Sequence, residues 1–456
     1  MYFVARLMGK IVAFLSPLLR RGGGTSAPGM VLLRFHPKAL SKLSESLVSG
    51  SVLISATNGK TTTTRFLSEI LNDAGVASVS NTSGANLKSG VATALLTKER
   101  HHEMGVLEVD EAALPEVVKE SRPRMLILMN LFRDQLDRYG ELESIAKRWR
   151  EMILELDPDT KLLVNADDPI LAAIGLQRPG SIFFGLGNAS SYSRDELQHA
   201  SDSSNCPQCS APLSYNHVTL SHMGDWKCEN CELTRPNLDF ETSQIQLDGI
   251  NQSVFTILDK SSRQEISSSM PGLHNVYNAL AAFSAASELG IDHGGIASSI
   301  SQTVAAFGRT EKVAFCDREI HILLAKNPAG ANANIDTLLL HSGPLHLCVL
   351  LNDRIADGRD VSWIWDVDYE KVLTRVETLH VGGERSYDLA LRFLYGGFEK
   401  DKIEVADSVP DLLDSLVSST PKHSNIFVLP SYTAMLDLRD ELVRRNATHA
   451  FWKDGK

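Results

Sequence analysis

Short apolar runs alternate with helix-length stretches over most of the chain. Ser51 to Ser55, Met104 to Val109, Met125 to Met129 and Lys161 to Val164 are apolar almost throughout and are bounded by polar or turn-forming residues, which predicts strands buried on both faces. Such runs, separated by helix-length segments, predict an α/β fold: a mostly parallel sheet covered by helices. The pattern breaks between Asn188 and Gln244, where Ser, Asn, Asp and Cys dominate, and this stretch reads as an insertion. Helical patterning resumes at His274 to Gly290 and Ile296 to Phe307. Beyond Gly308 a second alternation begins, with candidate strands at Ile320 to Ala325, Leu345 to Leu351, Arg375 to Val381 and Asn425 to Leu429. Tyr387 to Leu394 and Tyr432 to Arg445 are its clearest helices. A domain boundary is therefore expected near Gly308, followed by a second, Rossmann-like α/β domain.

The first twenty residues, MYFVARLMGKIVAFLSPLLR, resemble a signal peptide only superficially. Arg6 and Lys10 interrupt the apolar run and no small-residue cleavage site follows, so secretion is not expected. Two placements fit: a helix packed against the body, or one lying on a membrane with Arg6, Lys10, Arg20 and Arg21 near lipid phosphates. The packed helix is the simpler. No other stretch approaches the roughly 20 apolar residues needed to span a bilayer, which makes the cytoplasm the expected compartment.

Composition narrows the function classes. With 456 residues, 43% of them hydrophobic, the chain can bury cores for two or three domains. A net charge of -11 and a pI near 5.7 argue against a nucleic-acid partner, while a local basic pocket for a phosphate stays compatible with that sum.

Such a pocket is written at Val52 to Thr64, where an apolar strand runs into Ala56-Thr57-Asn58-Gly59-Lys60-Thr61-Thr62 and then a helix start. Backbone N–H groups at a helix N-terminus hold phosphate oxygens, the Lys60 ammonium neutralises them, and the Thr61 hydroxyl can ligate Mg²⁺. Gly59 lets the backbone approach closely. The generic P-loop would need glycine where Ile54 stands, so a shorter loop is required. The bland alternative is an ordinary strand-to-helix turn.

Cys206-Pro207-Gln208-Cys209 and Cys228-Glu229-Asn230-Cys231 form two C-x-x-C knuckles eighteen residues apart, the spacing of a zinc ribbon. Four thiolates complete the tetrahedral shell of Zn²⁺ and leave no place for a water nucleophile, so the metal is expected to be structural. Cys316 and Cys348, in apolar surroundings, are expected in the core.

The loop at Ala56 to Thr62 resembles that of the Mur ligase family, usually written G-T-x-G-K-T, with Ala56 in place of the first glycine. Three further segments follow in Mur order. Leu107 to Glu111 resembles the acidic Mg²⁺ site, with Glu108 as ligand; Asn130 to Gly140 resembles the N-x-x-x-D-H-L-D segment; Gly272 to Ala279 resembles the segment that contacts the nucleotide. The resemblance implies an ATP and Mg²⁺ site built from Thr57, Asn58, Gly59, Lys60, Thr61, Thr62, Asn130, His274, Asn275 and Asn278, with Lys60 and Glu108 acting in catalysis. Arg309 and Glu311 resemble the family's G-R-x-E, and Arg309 could reach across to the phosphates; a hinge salt bridge is the alternative. Gln135 stands where many members carry histidine, no counterpart is assigned for the modified lysine of some members, and the loop begins too early for the usual uridine-nucleotide domain.

Those departures, the cysteine insertion and the segments Lys326 to Asn332 and Leu351 to Asp366 resemble the MurT branch of the family. That implies three parts: a helical segment 1–45, an ATP-binding Mur ligase domain 46–308 with a zinc ribbon at about 200–236, and a C-terminal domain 309–456. It also implies an enzyme that amidates the D-glutamate α-carboxyl of the lipid II stem peptide, using ammonia from a GatD-like glutamine amidotransferase. No cysteine here has the glycines of a G-x-C-x-G glutaminase elbow, which fits a separate partner. In this branch an aspartate completes the partner's Cys-His pair, and Asp360, following Gly358-Arg359 at an expected helix start, is the candidate among Asp353, Asp357, Asp360 and Asp366. Two alternatives keep the loop: a Mur or folylpolyglutamate-type ligase that adds an amino acid unaided, and a nucleotide-binding regulator with a zinc-ribbon docking module.

Overall fold

Residues that alternate along each central strand enter two different cores. The computed structural model describes residues 2–15, 26–81, 84–99, 101–134, 142–187, 192–197, 201–260, 262–304 and 309–448. The first domain is built on β1 (Ser51–Ser55), β2 (Ser78–Ser80), β3 (Met104–Glu108), β4 (Met125–Leu128), β5 (Lys161–Asn165) and β6 (Ile182–Leu186), all parallel. Val52 and Ile54 of β1 pack with Phe66 and Ile70, whereas Leu53 packs with Leu40, Leu95 and Trp149 on the other face. Burial on both faces explains why these strands read as unbroken apolar runs.

A small antiparallel hairpin, β7 (Leu213–Leu220) and β8 (Met223–Cys228), lies within the insertion. After it, β9 (Phe240–Asp248) pairs parallel with β6 and antiparallel with β10 (Gln252–Asp259), which pairs with β11 (Arg263–Ser268). The result is one nine-stranded sheet in the order β11-β10-β9-β6-β5-β4-β1-β3-β2. Its antiparallel edge was not expected from the sequence. β9 alternates buried and solvated positions, so polar residues break the apolar run that marks the central strands.

The second domain carries β12 (Arg309–Phe315), β13 (Arg318–Leu323), β14 (Leu345–Leu350), β15 (Val376–Gly382), β16 (Ile403–Val405) and β17 (Asn425–Pro430). They form one sheet in the order β12-β13-β17-β14-β15-β16, parallel except for β12. The link at 305–308, which contains the expected boundary, lies outside the described residues. Two expectations are corrected here. Cys348 is buried in β14, but Cys316 is exposed: with Asp317 it forms the β12–β13 turn, both at positive φ (47° and 59°), as a tight two-residue hairpin demands. Asp360 precedes a 3₁₀ turn, Ser362–Asp366, in place of an α-helix.

Among the described residues, three helices precede β1: α1 (Tyr2–Leu15), α2 (Ala27–Phe35) and α3 (Ala39–Ser44). They cover the first domain beside α5 (Lys88–Thr97), while α4 (Lys60–Asp73) follows β1. Among the described residues no helix is long and apolar enough to cross a membrane.

Candidate active site

β1 lies between β3 and β4, so the chain leaves its carboxyl end at the point where the connections part to opposite sides, which is where open α/β sheets bind ligands. Residues 56–59 make the turn and α4 begins at Lys60. Gly59 has φ +92°, and a Cβ there would fall 2.1 Å from Asn278 Oδ1; conformation and space both demand glycine. Asn130, at the end of β4, clamps the turn, its Oδ1 accepting from Asn58 N–H (2.9 Å) and its Nδ2 donating to the Asn58 carbonyl (2.9 Å). Thr57 adds a bond from Phe132 N–H to its hydroxyl (3.0 Å).

The charged groups around this loop are buried and matched. Lys60 Nζ bonds the Ala56 carbonyl and pairs with Glu111 Oε2 at 2.8 Å. Burial would push the Glu111 carboxyl up, but Lys60 and, beyond it, Lys326 hold it below its ordinary value. Thr61 donates to Glu108 Oε2 (2.6 Å), and Glu108 Oε1 is buried with no hydrogen-bond partner. A buried carboxylate oxygen left unsatisfied beside a P-loop hydroxyl suits Mg²⁺, which takes one or two carboxylates together with phosphate oxygens.

The second domain closes the site. Lys326 pairs with Asp134, and Asn327 exchanges two 3.1 Å side-chain hydrogen bonds with Asn58 of the loop. Asn327 also caps the helix Pro328–Leu339, accepting from Gly330 N–H (2.8 Å), so the cap presents a helix N-terminus to the loop. The cleft is lined by Asn58, Gly59, Thr62, Asn130, His274, Asn275 and Asn278 from the first domain and Lys326, Ala329 and Gly330 from the second. Burial drives the His274 pKa down to about 4, and its Nδ1 has no partner, so the ring is a neutral group free to bond a ligand.

The structure thus brings together all the predicted nucleotide residues except Arg309, whose side chain lies outside the described residues, as does Gln135. Glu311 is paired with Arg439 at 3.2 Å. Glu111, Asp134, Lys326 and Asn327 were not assigned roles from sequence; the Asn-Pro cap after a strand was the one available signal for the last. Asp360 stands apart from the cleft, exposed, with the Ser362 hydroxyl and the Ser362 N–H (2.9 Å to Oδ1) together holding its carboxyl below the usual range. The neighbouring candidates are engaged elsewhere: Asp357 is buried against Thr433, Asp353 pairs with Arg385 at 3.7 Å, and Asp366 pairs with Arg133 at 3.3 Å.

Around the hairpin, the four sulfurs of Cys206, Cys209, Cys228 and Cys231 lie within 4.8 Å of one another. The closest pairs, Cys206–Cys231 at 3.6 Å and Cys209–Cys228 at 3.5 Å, approach the roughly 3.8 Å edge of a ZnS₄ tetrahedron with 2.3 Å bonds. These residues fit zinc. The ribbon is tied to the body by Trp226 Nε1 donating to the Ala166 carbonyl (3.0 Å) and by Arg235 on Asp167 (2.5 Å).

Comparison with known proteins places this arrangement. Residues 54–286 match the Mur ligase middle domain and residues 324–435 the MurT ligase C-terminal domain. The chain is 34% identical to the MurT subunit of the glutamine-hydrolyzing lipid II isoglutaminyl synthase of Streptococcus pneumoniae, over 94% of each chain. This chain belongs to the MurT family of Mur ligases. The Staphylococcus aureus MurT subunit is 30% identical, over 92% of this chain and 93% of its own. The fold extends further: a pseudomurein peptide ligase type C from Methanothermus fervidus superposes with a TM-score of 0.71 at 22% identity, covering 91% of this chain and 84% of that one. Both of these MurT relatives are named as subunits.

Proposed function

We propose that this chain is the ATP-dependent synthetase subunit of a lipid II isoglutaminyl synthase, working with a GatD-like glutamine amidotransferase at the inner face of the cell membrane. The observation that carries the reading is the match to MurT subunits across both domains, including the C-terminal domain type. The D-glutamate α-carboxylate of the stem peptide takes the γ-phosphoryl group, releasing ADP. Ammonia then attacks the acyl phosphate carbon and expels phosphate, leaving the amide of D-isoglutamine.

Within this scheme Asn130 and Gly59 shape the loop that receives the β- and γ-phosphates, and Lys60 offsets their charge. Thr61 and Glu108 would hold Mg²⁺, which supplies charge neutralisation on the transferred group. Closure of the second domain through Asn327 and Lys326 excludes water, which would otherwise hydrolyse the acyl phosphate. Neutral His274 is suited to bond the nucleotide with Asn275 and Asn278. Cys206, Cys209, Cys228 and Cys231 would hold zinc, which would fix the ribbon in shape. Asp360 orients and stabilises the partner's imidazole, a role that its exposure at the surface supports.

The test is mass spectrometry of lipid II incubated with the purified pair, ATP and either glutamine or ammonium. Amidation with both donors is expected; addition of an amino acid instead would indicate the amino-acid-adding ligase, and ATP binding without turnover a regulator. Asp360→Asn should lower glutamine-driven amidation about 100-fold or more while sparing the ammonium-driven reaction. Equal loss with both donors would remove Asp360 from the shared triad.

A further inference from the structure

α1 packs against the protein by its smallest residues and turns its largest apolar ones outward. Ala5 and Gly9 are buried, and a Cβ on Gly9 would meet Leu96 Cδ2 at 2.7 Å and the Pro28 carbonyl at 3.2 Å, so this side of the helix lies directly against α2 and α5. Tyr2 completes the seat, its ring edge-on to His36 with the Lys42 ammonium 4.9 Å from its centroid. On the opposite side Phe3 (76% exposed), Phe14 (75%), Leu7 (52%) and Ile11 (49%) share one face at helical spacing, flanked by Val4 and Leu15. Packing against the body accounts for the small stripe and leaves the large face without a partner among the described residues. Contiguous exposed apolar surface of this kind marks an interaction site.

The charge around it points to the occupant. Arg6 and Lys10 are exposed on α1 along one border of the apolar face, and Lys42 sits over Tyr2 at the packed side of the helix. No Asp or Glu occurs before Glu45, in a chain whose net charge is -11. A protein partner for an apolar face needs no such segregation. An anionic membrane does: apolar side chains enter the acyl boundary while basic ones remain at the phosphates. The described helix, 14 residues long, is shorter than the roughly 20 residues a bilayer span needs, and its one-sided apolar face is that of a helix suited to the interface plane.

We propose that the outward face of α1, bordered by Arg6 and Lys10, docks the protein onto an anionic lipid surface. The inference rests on the proposed function only for its use, which is to bring the cleft to a membrane-held substrate; the docking itself is independent of the chemistry. The experiment is co-sedimentation of the full-length chain with vesicles of phosphatidylglycerol and phosphatidylcholine, and with phosphatidylcholine alone. Partitioning onto the anionic vesicles is expected to exceed that onto neutral ones at least tenfold and to fall with added salt. The triple variant Phe3→Ser, Leu7→Ser, Phe14→Ser is expected to lose binding to both by tenfold or more, and Arg6→Glu with Lys10→Glu to lose only the anionic preference. Retained zinc content and ATP binding would certify that the variants are folded.

Parent protein that stays in the supernatant, or a triple variant that partitions like the parent, overturns the proposal. So does a triple variant that still binds vesicles but no longer self-associates or no longer captures the glutaminase subunit, because the face would then belong to a protein interface. Ammonium-driven amidation of detergent-solubilised lipid II separates the two readings: its absence in the parent refutes the proposed function and leaves the vesicle result standing.

Discussion

The phosphate loop and the cysteine ribbon are both ligand sites, yet they are assembled in opposite ways. The ribbon draws its four sulfurs from residues 206–231 and shapes them with its own hairpin. The loop site is gathered from Asn58, Glu108, Asn130, His274 and Lys326, spread over much of the chain. A site made of one local segment can be recognised from spacing alone. A site made by the fold shows in sequence only as fragments in the right order, and it acquires properties the fragments lack, such as the Lys60–Glu111 pair and the domain contact at Asn327.

Removing a single charge should therefore hurt the dispersed site most. Lys60→Ala is expected to reduce ATP-dependent amidation about 1,000-fold or more, and to lower the melting temperature because buried Glu111 loses its partner, as measured by product formation and calorimetry. Turnover within tenfold of the parent would mean the loop does not carry the transferred phosphate.

The ribbon should respond as a unit. Elemental analysis should find one zinc per chain, and Cys206→Ser or strong chelation should release it with local unfolding seen through Trp226 fluorescence, at a cost of several kcal/mol, roughly. Because Trp226 and Arg235 reach into the first domain, the loss is expected to lower the melting temperature of that domain as well. Protein purified under reducing conditions without metal would contradict this.

Asn327→Ala tests whether the second domain matters to the loop. Losing two amide bonds of about 1 kcal/mol each should lower kcat/KM for ATP roughly 10- to 100-fold, with a further stability loss of about 1 kcal/mol from the lost helix cap. An unaltered kcat/KM would confine the nucleotide site to the first domain.

The smallest effect concerns His274. Its folded-state pKa, about 4, lies below the unfolded value near 6.5, so the unfolded chain binds more protons between those values and stability falls as pH drops through that window. The ring is partly exposed, which keeps the contribution under about 3 kcal/mol. Denaturant titrations from pH 7 to pH 4 should show a shallower decline for His274→Gln than for the parent; parallel curves would show that the imidazole is not held neutral.

The sequence made the central strands and the four cysteines legible because each is declared by neighbours in the chain. Lys326 and Asp134 were not legible as partners: they meet across a domain interface and 192 residues. Cys316 misled because Val313 and Phe315 suggest a core strand, whereas the strand ends one residue before it and the hairpin turns there. Asp360 was read as a helix start, and the structure gives one 3₁₀ turn, since the chain must reach Tyr369 and the core beneath it within a few residues.

Arg133 and Asp134 occupy successive positions yet grip different neighbours. Arg133 binds Asp202 at the edge of the ribbon and Asp366 of the second domain, while Asp134 binds Lys326 at the other side of the same interface. Adjacent side chains on one short stretch of backbone thus act as a latch across three bodies. Asn130, which clamps the phosphate loop, lies three residues upstream of Arg133. The interface that traps the ligand is anchored to the same strand end that shapes its seat.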